Sequence, residues 1–271
     1  MEYKLDSTLV ILTCIIIVLG LGTALAGLFS DRLYQGNSVS LIAQGKGQDL
    51  VTAVIAVPAT IIILVLAARG SYKAGLALAG LIGYFLYTYA SYLFLWKFNN
   101  LFLAYTATFS SSLFGFILLM LRLFRTAPGL ALPRGPAVFC SVLLFLVAAA
   151  LLFMWLSQVA SAMQGESVPI LTDTDGHAVI QGMDLGVIVP AAVIIGVMLL
   201  QGSTAGLVWL PVLLVKGLTM GLAIVTMTIF MARAGTPDSA GMVIFSVLSV
   251  LFLAGLVWVF TALKAGEAAA G

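Results

Sequence analysis

The sequence predicts an all-α membrane protein, a bundle of eight transmembrane helices with a small extracytoplasmic β-hairpin between helices 5 and 6. Three observations predict it. Of 271 residues, 62% are apolar and 8% are charged, whereas a soluble domain carries roughly 25% charge. The charged residues leave long uncharged stretches between them, and about 20 apolar residues cross a hydrocarbon core of roughly 30 Å. An Asp-Gly pair between two short apolar runs marks the hairpin. The same composition excludes other classes. Two cysteines, Cys14 and Cys140, each inside an apolar run, do not make a disulfide scaffold. A net charge of +2 provides no basic surface for nucleic acid.

The elements follow in chain order. The first helix covers 7–30. Ala24-Leu25-Ala26 resembles a signal-peptidase site, but the charges before the segment are net negative and its apolar run exceeds the about 7 to 15 residues of a signal core, so an uncleaved helix is expected. A polar connection over 31–49 leads to helices at 50–68, 74–96 and 98–121, separated by the short joints 69–73 and Lys97. The fifth helix covers 137–160. In the connection 161–184, the runs Val168-Pro169-Ile170-Leu171-Thr172 and His177-Ala178-Val179-Ile180 flank Asp175-Gly176 and give the expected hairpin. The apolar run 185–232 is too long for one crossing, and Gln201-Gly202-Ser203-Thr204 divides it into helices at 184–201 and 205–231. The eighth helix covers 240–263, and the whole chain, 1–271, reads as a single integral membrane domain. No internal repeat stands out, although a four-plus-four arrangement leaves room for a weak one.

Eight crossings put both termini on one side. That side carries seven basic residues, Lys4, Arg69, Lys73, Arg122, Arg125, Arg134 and Lys264, against four on the other, Arg32, Lys46, Lys97 and Arg233. Basic residues accumulate on the cytoplasmic side, so cytoplasmic termini in a bacterial or archaeal plasma membrane are expected.

Candidate chemistry is sparse. His177 is the single histidine, which excludes a bis-histidine haem and most histidine-based zinc sites. Asp173, Asp175 and Asp184 have calcium-loop character, but Ala178 stands where the sharp turn requires glycine. No metal and no cofactor are expected. Asp49 and Asp184 each fall at the outer start of an expected helix, where a carboxylate caps free N–H groups. An acid in a membrane bundle is also a functional candidate, so Gln44, Lys46, Gln48 and Asp49 together with Asp184 are expected to line an outward mouth.

Lys216 is the most informative residue, because a lysine near a helix centre costs about 2.5 to 3.5 kcal/mol to insert and must face protein or water. At about 1.5 Å per residue it lies about 17 Å from the inner end of its helix and about 22 Å from the outer end. That depth argues against a direct pair with Asp49 or Asp184 and favours hydroxyl partners at its own level, Tyr84, Tyr87 and Thr88 of the third helix and Ser111 of the fourth. The alternative is a stem that snorkels to the interface. Tyr84 and Tyr87 share a helix face with Ser91, whereas Tyr92 and Trp96 read as an interfacial aromatic belt. Pro58, Pro190 and Pro211 fall inside helices and are expected to kink them.

The segments Gly47-Gln48-Asp49-Leu50-Val51-Thr52, Gly83-Tyr84-Phe85-Leu86-Tyr87-Thr88-Tyr89-Ala90-Ser91-Tyr92 and Asn99-Asn100-Leu101-Phe102 resemble a group of bacterial multi-pass membrane proteins with no assigned activity. The resemblance is clearest in the first half of the chain and weaker around Met183-Asp184-Leu185. It implies that the outer loop, the third helix and the start of the sixth contribute to one site. The expected function is a small-solute transporter or solute-binding permease, with Lys216 and the third-helix tyrosines near the floor of a cavity and Asp49 and Asp184 near its mouth. Its expected partners are the lipid bilayer, a small solute and a membrane partner or second copy. The rival is a structural or sensory subunit that binds a partner through its outer loops. An intramembrane enzyme ranks below both, because the sequence contains no HExxH pair and no serine-histidine constellation.

Overall fold

Inside hydrocarbon every backbone N–H and C=O must be satisfied within its own segment, so uncharged stretches of this length close as helices. The computed structural model describes residues 3–30, 32–127 and 129–266. Among them, eight helices are long and apolar enough to cross a membrane: α1 Ser7–Phe29, α2 Val39–Ala68, α3 Tyr72–Phe94, α4 Phe102–Arg125, α5 Arg134–Met163, α6 Val179–Leu200, α7 Thr204–Arg233 and α8 Ser239–Ala262. Short polar side chains start several of them. Asp6, Ser38, Ser71 and Asp238 accept hydrogen bonds from the free backbone N–H groups of α1, α2, α3 and α8.

Two expectations are corrected. The hairpin between α5 and α6 is absent: Pro169–Asp173 forms a short helix, and Val179 already begins α6. The Asp-Gly turn itself is present, with Asp175 at φ 51° and Gly176 at φ 84°. Its flanks coil because Pro169 has no N–H for a strand ladder and suits a helical first turn, and because a lone two-stranded hairpin is marginal in water. The described strand pair lies elsewhere: β1 Gly129–Ala131, after α4, pairs antiparallel with β2 Lys264–Gly266, after α8. The second correction concerns helix starts. α2 begins at Val39 rather than near residue 50, and α6 at Val179 rather than 184. The polar run Gln44 to Asp49 is therefore helical, and Asp49 lies about 15 Å along its helix instead of capping it.

α2 and α6 share a further irregularity. Each contains one π turn, Thr52–Ala56 and Asp184–Ile188, in which the backbone N–H of Val57 reaches Thr52 and that of Val189 reaches Asp184. Proline follows at once in both, at Pro58 and Pro190. Proline has no N–H and its ring crowds the preceding turn, and a wider turn relieves both demands.

A repeat emerges from these correspondences. Val57-Pro58-Ala59 and Val189-Pro190-Ala191 align, and Gly70-Ser71 follows Pro58 at the same distance as Gly202-Ser203 follows Pro190. Gly70 and Gly202 both take positive φ, 90° and 70°, at the helix ends, where a side chain would be strained. Ala74-Gly75-Leu76 and Ala205-Gly206-Leu207 then open α3 and α7. Packing repeats as well: α1 meets α2 and α4, α2 meets α3, and α3 meets α4, while α5 meets α6 and α8, α6 meets α7, and α7 meets α8. Each half thus forms a four-helix unit, and four crossings per half give both the same direction through the membrane. The halves join where α7 packs on α2 and α3. Glycines permit that approach: a Cβ on Gly47 would fall 2.6 Å from the Met227 backbone, and one on Gly80 would fall 2.8 Å from the Val212 carbonyl oxygen.

Candidate functional site

Two buried carboxylates organise the polar interior, one in each half. Asp49 is 1% exposed. Tyr92, on α3, donates its hydroxyl to Oδ1 at 2.8 Å, and Tyr34, in the α1–α2 connection, donates to Oδ2. Gly27 of α1 makes room, since a Cβ there would overlap the carboxylate. Burial, reinforced by the Asp49 carboxylate, raises the Tyr34 pKa far above that of a free tyrosine. The hydroxyl therefore stays protonated and remains a donor.

Asp184 is held in the same manner by different residues. Tyr87 of α3 donates to Oδ1 at 2.7 Å, and the indole N–H of Trp155 on α5 donates to Oδ2 at 2.9 Å. The Lys216 ammonium, on α7, sits 4.1 Å from the centroid of the Tyr87 ring. The lysine stem passes Gly83, one turn before Tyr87, where a Cβ would stand in ordinary contact with its Cγ at 3.9 Å. One phenol therefore serves two charges. Its face attracts the ammonium, worth about 0.5 to 2 kcal/mol, while its hydroxyl binds the carboxylate. Tyr87 and Lys216 are half-buried, and Asp184 is buried.

Gln48, Tyr84, Thr88 and Thr52 form a separate knot between α2 and α3. The Gln48 amide donates to the Tyr84 hydroxyl and, at 3.0 Å, to Thr88, while Thr52 and Tyr84 share a hydrogen bond of 2.8 Å. Gln44 points away from it and donates to Ser40 at 3.1 Å. Ser111 is buried within α4. Among the described residues, no hydrogen bond links Lys216 to Ser111, Tyr84 or Thr88. The structure thus groups Lys216, Tyr87 and Asp184, groups Gln48, Tyr84 and Thr88, and gives Asp49 its own tyrosines. The two acids share no hydrogen-bonding partner.

Sequence reasoning missed Tyr34, Trp155 and the role of Tyr92. Tyr92 is 4% exposed and faces Asp49 rather than the membrane interface. A usable signal was present. At about 100° per residue Tyr84, Tyr87, Tyr89 and Tyr92 spread over about 200° of one helix, wider than a single packed face, which marks it as a central helix. Tyr89 fits the same pattern, bonding to Thr23 of α1.

No protein-family model, curated protein or solved structure matches the chain.

Proposed function

We propose that this multi-pass membrane protein is a small-solute transporter of a prokaryotic plasma membrane, with both termini in the cytoplasm and the solute bound at the Asp184–Tyr87–Lys216 triad. The observation that carries the reading is the meeting of a membrane-buried ammonium and a membrane-buried carboxylate on a single tyrosine where the two halves of the bundle join. Such a pair is complementary to a solute bearing both an acidic and a basic group, which would replace the phenol as bridge. Ionisable groups this deep are expensive and face a pathway or a bundle interior. The π turns beside both acids add support, because single π turns within α-helices recur at functional sites.

A second reading, a structural or sensory subunit, draws on the glycine contacts that lock α7 against α2 and α3. One experiment separates the two. The melting temperature of the purified protein in detergent is measured with and without a panel of small amino acids and carboxylates. Transport predicts a solute-dependent rise in wild type that disappears in Lys216→Met. A shift unchanged in the mutant, or no shift with any of the panel, counts against it.

A further inference from the structure

A second site lies in the first half, away from the triad. At the end of the bundle remote from the termini, a cavity of about 120 Å³ opens between α3 and α4, lined by Tyr92, Trp96, Phe98, Asn99, Phe102 and Tyr105, with Lys97 at its edge. Its walls are mainly aromatic. The Trp96 ring packs 4.6 Å from Tyr34 and 5.2 Å from Tyr92, and Tyr105 packs 5.3 Å from Tyr92. Two of these rings, Tyr34 and Tyr92, donate their hydroxyls to the buried Asp49 carboxylate directly behind the wall. A phenol that donates to an anion gains electron density on its face, and an aromatic face attracts cations.

The one basic side chain at the rim is already matched, since the Lys97 ammonium lies 3.1 Å from Asp175. Inside, the Tyr105 hydroxyl is unsatisfied. Tyr105 is 2% exposed and its hydroxyl is buried without a hydrogen-bond partner.

We propose that this cavity binds a compact alkylammonium cation, its charge against the Trp96, Tyr92 and Tyr105 rings and balanced by Asp49. The size agrees, because a cavity of about 150 Å³ holds the six carbons of benzene and this one accommodates about five heavy atoms. The site does not involve Lys216 or Asp184.

Calorimetric titration of the full-length protein in detergent with tetramethylammonium chloride tests it, with tert-butanol as the neutral molecule of equal heavy-atom count and sodium chloride as the ionic control. Saturable binding of tetramethylammonium, with none of tert-butanol, is expected. Trp96→Leu should weaken it by about tenfold, Asp49→Asn should weaken it as well, and Phe98→Leu, at an exposed ring that leaves the fold untouched, should weaken it less. Lys216→Met should leave it unchanged, which keeps this test independent of the transport reading. Equal binding of tert-butanol, no binding of tetramethylammonium, or wild-type affinity in both Trp96→Leu and Phe98→Leu overturns the proposal.

Discussion

Asp49 and Asp184 each lie beside the π turn of their half of the bundle, Asp184 at the first position of its turn and Asp49 three residues ahead of Thr52, yet their surroundings differ. Asp49 is enclosed by tyrosines from its own half. Asp184 binds Tyr87 across the junction and through that ring meets Lys216. Each half thus carries one buried carboxylate beside its π turn, and the residues facing them enclosed one among tyrosines and joined the other to Lys216.

The donors to each acid should be measurable as stability. Removing one partner of a buried carboxylate costs about 1 to 3 kcal/mol. Tyr92→Phe should lower Tm in detergent, and Trp155→Phe should do the same at Asp184. A Tm equal to wild type in both variants would show that the hydrogen bonds contribute nothing net.

Close approach of the halves depends on glycine. Gly47→Leu should place atoms in the Met227 backbone and destabilise by about 1 to 3 kcal/mol or more. Gly22→Ala, with nothing within 4 Å of its Cβ, should be neutral. Thermal melts of the two variants compare them directly.

High pH should expose Tyr34. Its pKa is raised on folding, so the folded state retains a proton that the unfolded chain loses. The stability it contributes is complete below about pH 10, the ordinary tyrosine pKa, and declines above it. Tm should fall as pH rises beyond that point, and Tyr34→Phe should make the fall shallower.

Orientation can be read by labelling. In a background lacking Cys14 and Cys140, Glu166→Cys should react with an impermeant maleimide on intact cells, and Arg69→Cys only after permeabilisation. Reaction of both from the same side would contradict eight crossings, and the reverse pattern would contradict cytoplasmic termini.

The sequence by itself determined the membrane class, the eight helices long enough to cross and the presence of a lysine deep in one of them, because these follow from one dimension: the length of apolar runs and where charge falls within them. It also placed the Asp-Gly turn, which depends on two adjacent residues. Tertiary structure decided the rest. Polar residues Gln44 to Asp49 belong to α2, where tyrosines of α3 and of the α1–α2 connection meet them, whereas a hydropathy count sees them as loop. Tyr84 and Tyr87 share a side in spacing but serve different neighbours, since α3 is surrounded and each of its faces meets another helix. Trp155 and Tyr34 carry no local signature. They donate one hydrogen bond each to an acid 29 and 15 residues away, and only the packing within each four-helix unit brings donor and acceptor together.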